Sequence, residues 1–169
     1  PVVYDLCSGS GCIGLSIKKL HKSAEVFLVE KSDKALAYLK ENCYSICGDS
    51  EDAAVVQGDI LKISDFSDLP PADVIVSNPP YIKSDEIPTL QSEVLREPVM
   101  ALDGGEDGLD FYRIICNRWL PELKKGGFVA VECGEEQSAE IEKMFSELCK
   151  KTFCVKDYNG TERIVIGEK

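Results

Sequence analysis

The chain has a single histidine and no C-x-x-C pair, so the usual ligand spacings of a structural zinc site are missing. It also lacks any apolar run near the roughly 20 residues that a membrane-spanning helix needs. No leader pattern is visible at its start. Clustered basic residues are scarce: 19 Lys and Arg stand against 30 Asp and Glu, for a net charge of −11. Nucleic-acid grooves present Lys and Arg as a patch or stripe, so this balance disfavours nucleic acid and suits a protein or small-molecule substrate. No membrane partner is expected.

Cysteine is plentiful, with eight residues at 7, 12, 43, 47, 116, 133, 149 and 154. Most interrupt apolar strand or helix patterns. Cys43 and Cys47 are one helical turn apart, but no nearby histidine completes a metal site. Free, buried thiols in a reducing cytoplasm are the expectation, with no metal bound.

Strand-like and helix-like stretches alternate with short links, the pattern of a parallel sheet covered on both faces. Val2-Val3-Tyr4 is a buried-strand run leading to Gly9-Ser10-Gly11 and an amphipathic helix through Ile13, Leu15, Ile17 and Leu20. Residues 25–30 form a second strand, and Ser32 caps a helix with Ala35, Leu36, Leu39 and Cys43 on one face. Residues 53–57 and 72–77 are the third and fourth strands. A long irregular stretch, 82–108, precedes a helix over 109–120, a strand over 127–133 and a helix over 137–149. Strands over 152–157 and 163–166 flank Asn159-Gly160 and form a closing antiparallel hairpin. The expected fold is α/β: a doubly wound, Rossmann-like, mostly parallel seven-stranded sheet. Because the first residues already read as a buried strand, residues 1–169 are expected to be one domain of something longer.

In open sheets of this kind ligands bind beyond the carboxyl ends of the strands, where the strand order reverses. Asp5-Leu6-Cys7-Ser8-Gly9-Ser10-Gly11 lies at the first such end, where glycines let the backbone approach a ligand at a helix N-terminus. Read as x-Gly-x-Gly behind an acidic residue, and without a P-loop lysine, the turn is set apart from phosphate-binding loops. Glu30, ending the second strand, can accept both hydroxyls of a ribose; Asp59 after the third can accept from an adenine amino group. Asn78-Pro79-Pro80-Tyr81 ends the fourth strand. Two prolines fix an extended backbone that is poor in donors, so the Asn78 side-chain oxygen and the Pro79 carbonyl can take the two hydrogens of a planar NH2 group. Tyr81 supplies an aromatic face for that group.

These residues resemble the class I methyltransferases that carry Asn/Asp-Pro-Pro-Tyr/Phe and methylate nitrogen in glutamine side chains, adenine or cytosine. Within that group the chain is similar to the HemK/PrmC-type glutamine N5-methyltransferases, which modify the Gly-Gly-Gln glutamine of peptide chain release factors. Further residues carry the resemblance: Ile82, Glu97-Pro98-x-x-Ala101-Leu102, Gly104-Gly105-x-x-Gly108-Leu109, Glu132-Cys133-Gly134 with Gln137, and Asp157-Tyr158-Asn159-Gly160 ahead of Arg163-Ile164-Val165.

The resemblance implies S-adenosylmethionine as cofactor, with S-adenosylhomocysteine as product, and a release factor as protein substrate. It implies that Asp5 and Cys7, Ser8, Gly9, Ser10 and Gly11 serve the methionine part, Glu30 the ribose, and Asp59 with Ile60 the adenine. Asn78 would lie between cofactor and substrate, the latter held by Asn78, Pro79, Pro80, Tyr81 and Glu97, with Asn78, Pro79 and Tyr81 catalytic. Two departures stand out. Cys7 occupies the family's usual first glycine, and the family's N-terminal helical substrate-recognition domain is absent from this sequence. The alternatives are an adenine-N6 methyltransferase acting on DNA or RNA, a ribosomal-protein glutamine methyltransferase, a non-catalytic cofactor-binding module, and, disfavoured by its glycine spacing, a dehydrogenase.

Overall fold

The strand-end positions of Asp5, Glu30, Asp59 and Asn78 converge because their strands are parallel and adjacent. The computed structural model describes residues 1–48, 53–62 and 69–169. In it β1 (Val2–Leu6), β2 (Glu25–Glu30), β3 (Ala53–Gln57), β4 (Ala72–Ser77), β5 (Leu123–Glu132), β6 (Lys151–Lys156) and β7 (Glu162–Glu168) form one sheet in the order β3-β2-β1-β4-β5-β7-β6. The pairs among β1 to β5 are parallel, whereas β7 runs antiparallel to both β5 and β6. The order reverses between β1 and β4, which opens the crevice there. The expected α/β class, mixed sheet and closing hairpin are all present.

Alternation along each strand builds two cores, because successive side chains point to opposite faces. Val3, Val26, Leu28 and Val76 pack beneath α1 (Cys12–Leu20) and α2 (Asp33–Cys47), where Leu15, Leu36 and Leu39 complete the cluster. Tyr4, Leu6, Phe27, Val29 and Ile75 face the other way, against α3 (Asp110–Ile114) and α4 (Ser138–Phe145). Tyr4 stands edge-on to Phe27 and Trp119, with ring centroids 5.4 and 5.8 Å away. Leu39 is fully buried, so truncating it to Ala would cost roughly 2–5 kcal/mol. Ser32 caps α2 as expected, its hydroxyl accepting from the Ala35 N–H at 3.4 Å.

Three sequence expectations need correction. The helix expected over 109–120 is α3 followed by one π-helical turn, Ile115–Trp119, and a 3-10 turn at Leu120–Glu122. The wider turn keeps Ile115, Cys116 and Trp119 all on the buried side, and Pro121 cannot continue an α-helical ladder. The helix α4 stops at Phe145, and the residues to Cys149 form tight turns on the Met144 and Phe145 carbonyls. The cysteines are all free, but only Cys116, Cys133 and Cys149 are buried, while Cys12 is exposed. Among the described residues, no helix is long and apolar enough to cross a membrane.

Candidate functional site

A cavity of about 640 Å³ opens at the strand ends around the switch point. That is within the usual range for small-molecule sites, about 300–1,000 Å³. Of the residues singled out from sequence, Cys7, Gly9, Glu30, Asp59, Ile60, Asn78 and Pro80 are in its walls. Asp5, Ser8, Ser10, Gly11, Pro79, Tyr81 and Glu97 are not.

Those outside the walls have identifiable places. Ser8 is turned into the sheet, its N–H and hydroxyl both donating to the Val29 carbonyl at 3.0 and 3.2 Å. Ser10 is exposed, and its carbonyl accepts from the Asn42 side chain at 2.9 Å. Gly11 begins α1. Pro79 is buried and Tyr81 half-buried beneath the turn they belong to, while Glu97 is exposed beside Pro98, which does line the cavity.

Asp5 is 1% exposed and lies behind the glycine turn. Its Oδ2 accepts from the Gly14 N–H at 2.8 Å, and its Oδ1 has no hydrogen-bond partner among the described residues. Burial pushes this carboxyl up to about 7; the Gly14 N–H opposes the rise and the Glu30 charge adds to it.

Gly14 also corrects the sequence reading of the turn. With Gly9 and Gly11 it completes a G-x-G-x-x-G spacing, so glycine spacing alone does not set a dinucleotide enzyme aside. Its role is close packing of α1 on the sheet. A Cβ at Gly14 would lie 2.5 Å from Leu28 Cδ2 and 2.9 Å from Asp5 Oδ2.

Glu30 is 9% exposed. Its Oε2 accepts from the Gly9 N–H at 2.8 Å, and its Oε1 from the Lys31 and Ser32 N–H groups at 2.9 and 2.7 Å. Three backbone donors thus fix the carboxylate plane at the cavity wall and leave acceptor capacity free. Asp59 pairs with Lys31 Nζ at 2.8 Å and accepts from the Leu61 N–H at 3.1 Å. Burial raises its carboxyl, but Lys31, the Leu61 N–H and the Lys62 charge outweigh this and hold it below the usual carboxylate value. Cys7 has a left-handed backbone, φ 57°, and burial, with the Glu30 and Asp5 charges, holds its thiol protonated.

Asn78 is exposed at the cavity wall, one residue past Ser77, whose buried hydroxyl donates to the Leu6 carbonyl at 2.7 Å and ties β4 to β1. Among the described residues, neither the Asn78 side-chain amide nor the Pro79 carbonyl makes a hydrogen bond. The turn therefore carries two unengaged acceptors, the Asn78 side-chain oxygen at the cavity wall and the carbonyl of the buried Pro79.

Sequence reasoning missed much of the outer wall. Lys31 and Tyr38 come from β2–α2, and Met100, Asp103, Asp110 and Phe111 from the long loop and α3. For the loop, the signals were the length of the 82–108 stretch and the motif residues Pro98, Ala101 and Gly105, which do line the cavity; nothing in the sequence marked Lys31 or Tyr38. The end of that stretch is tied back to the Asn78 turn: Ile82 N–H donates to the Leu102 carbonyl at 2.9 Å and Gly104 N–H to the Ile82 carbonyl at 2.8 Å. Asp103 Oδ1 accepts from Ser84 Oγ at 2.7 Å and the Gly105 N–H at 3.0 Å, which lowers its pKa.

The model of the methyltransferase small domain family matches residues 2–120. A release factor glutamine methyltransferase of Clostridium acetobutylicum is 40% identical over 168 residues, covering 98% of this chain and 58% of that protein. Its counterpart in Thermodesulfovibrio yellowstonii is 36% identical over 169 residues, covering 99% and 59%. The chain thus spans somewhat under three-fifths of the length of these relatives. Among solved structures, a methyltransferase from Pyrococcus furiosus superposes with a TM-score of 0.72 at 19% identity, over 98% of this chain and 73% of that one. The hMettl16 catalytic domain, solved with an MAT2A 3′UTR hairpin, gives 0.75 at 17% identity, over 99% and 63%. Those two likenesses are of fold.

Proposed function

Because the chain belongs to the methyltransferase small domain family, we propose that it transfers a methyl group from S-adenosylmethionine to the side-chain amide nitrogen (N5) of a glutamine, the one in the Gly-Gly-Gln of peptide chain release factors. The observation that carries this reading is the Asn78 turn: an unengaged side-chain amide on the wall of the cavity that Glu30 and Asp59 also line, with the unengaged Pro79 carbonyl next to it in the chain. The names of the relatives point to the same acceptor.

The residues present fit the cofactor. Glu30 offers a fixed carboxylate to a ribose diol, and Asp59 with the Ile60 side chain offers a carboxylate and an apolar wall to an adenine. Cys7 and Gly9 bring main chain to the cavity where a methionine part would lie. When bound, S-adenosylmethionine supplies a methyl group activated on a sulfonium.

The protein's task is the acceptor, since an amide nitrogen delocalises its lone pair into its carbonyl and is a poor nucleophile. Asn78 and the Pro79 carbonyl accept the two N–H groups, raise electron density on nitrogen and fix its direction. Such alignment can supply up to about 7–11 kcal/mol of barrier reduction, and each preorganised dipole about 3–4 kcal/mol. The nitrogen loses one proton to solvent as its bond to the methyl carbon forms.

The test is transfer of radiolabelled methyl from S-adenosylmethionine to a release factor and to its Gly-Gly-Ala form. Label on the first alone is the expected result. Label on neither, or on an RNA or DNA adenine instead, overturns the reading.

A further inference from the structure

Gln137 directly precedes α4, and its side chain reaches back toward the Asn78 turn. Its Oε1 accepts from the Gly134 N–H at 2.9 Å, while its Nε2 donates to the Tyr81 carbonyl at 2.9 Å and the Gly108 carbonyl at 3.3 Å. One amide thus joins three segments distant in sequence: the turn after β5, the turn after β4 and the glycine loop before α3. The approach is too close for any larger residue at Gly108. That residue has φ +76°, and a Cβ there would overlap the Tyr81 carbonyl oxygen and lie 2.6 Å from Gln137 Nε2.

The amide is itself braced. Glu136 just before it is held at φ 67°, a left-handed conformation that costs an L-residue roughly 1–2 kcal/mol. Behind the turn, Arg163 Nη1 donates to the Cys133 carbonyl at 3.2 Å, and Arg163 Nε lies 3.7 Å from Asp157 Oδ2. The Cys133 N–H returns a bond to the Arg163 carbonyl at 2.9 Å, and Ser138 hydrogen-bonds Glu162. The closing hairpin thereby holds the end of β5, from which Gln137 reaches Tyr81.

We propose that Gln137 is a positioning residue for methyl transfer: its amide locks the Asn78–Tyr81 turn against residues 104–108. The two acceptors offered to the substrate NH2 group then keep their spacing. This rests on the methyl-transfer reading for its consequence, though not for the lock itself. Glutamate at 137 keeps an acceptor for Gly134 but sets a carboxylate oxygen against two carbonyls. Methionine keeps the length and removes every hydrogen bond.

The test compares wild type, Gln137→Glu and Gln137→Met in the full chain by amide hydrogen exchange, cofactor calorimetry and methyl transfer to a Gly-Gly-Gln release factor. Exchange at Ile82 and Gly104 is expected to rise about tenfold or more in both variants, with β1 and β4 amides unchanged. Cofactor Kd stays within about twofold, KM for the release factor changes little, and kcat falls about 100-fold, the usual cost of a misplaced reacting group. Turnover within about threefold of wild type overturns the proposal. So does a loss that tracks weaker cofactor binding and a lower Tm, which is the mark of a structural brace alone. If wild type methylates no glutamine, the acceptor reading fails and exchange alone decides the lock: wild-type exchange in both variants overturns it.

Discussion

The Gly9 N–H donates to Glu30 Oε2 at 2.8 Å, so the turn after β1 is fastened to the carboxylate that ends β2. With the Lys31 and Ser32 N–H groups on Oε1, this makes Glu30 an organiser of the cavity wall as well as an acceptor. Glu30→Gln keeps one oxygen and sets an NH2 group against backbone donors, so at least one of them loses its partner. A hydrogen bond to a charged group contributes about 2 kcal/mol, which corresponds to a cofactor Kd raised roughly 30-fold. Calorimetric titration with S-adenosylmethionine checks this, and an unchanged Kd removes Glu30 from the cofactor site.

Asn78→Ala separates binding from chemistry. The side chain makes no hydrogen bond among the described residues, so the fold loses little when it is removed. Loss of one preorganised hydrogen-bonding dipole is expected to lower kcat about 100- to 1,000-fold while cofactor Kd stays within a factor of about two. Single-turnover assays with saturating cofactor measure it. Near-normal turnover would take Asn78 out of the reaction.

The fold was legible from sequence because strand patterning and helix periodicity agree along most of the sheet, although β5 begins at Leu123, ahead of the expected 127. Leu28 and Val29 show why: neighbours in sequence, they enter opposite cores. The switch-point residues were legible because strand ends are marked by Asp5, Glu30, Asp59 and Asn78. What sequence hid depends on tertiary approach. Gly14 completes a visible Gly9-x-Gly11-x-x-Gly14 spacing, but that it seats α1 against Leu28 and Asp5 shows only in the packing. Gln137 stood out in sequence only as part of Glu132-Cys133-Gly134-x-x-Gln137; its bonds to Tyr81 and Gly108, 56 and 29 residues away, could not be read there. The π-helical turn at Ile115–Trp119 answers to packing of Trp119 beside Tyr4, which no propensity encodes.

Cys7 occupies a left-handed conformation, φ 57°, that glycine adopts freely and a β-branched residue does not. Cys7→Gly relieves that strain but frees the unfolded chain and gives up some packing, so its stability should stay within about 1 kcal/mol of wild type. Cys7→Val pays the strain in full, with branched methyls added beside the cavity, and should lose about 2 kcal/mol or more. Urea unfolding of the three proteins gives the comparison. Equal stability for the glycine and valine variants would show that the backbone at residue 7 relaxes.

Asp5 sets a pH dependence opposite in sign to that of the surface carboxylates. Its folded pKa of about 7 lies above the ordinary 3.8, chiefly through burial. The stability it contributes is therefore fully present below about pH 4 and is lost as pH rises through about 7. The full rise corresponds to roughly 4 kcal/mol, of which about half falls between pH 5 and 7. Asp103 and Asp107 have lowered pKa values and act the other way, losing their contribution only as the pH falls through those low values, so they leave this window clear. Asp5→Asn stays neutral and keeps an oxygen for the Gly14 N–H. Relative to wild type, the variant should gain about 2 kcal/mol in stability on going from pH 5 to pH 7, measured by urea unfolding at each pH. A wild-type-minus-variant difference that does not move with pH would mean that the buried carboxyl ionises as an exposed one does, with solvent reaching its Oδ1.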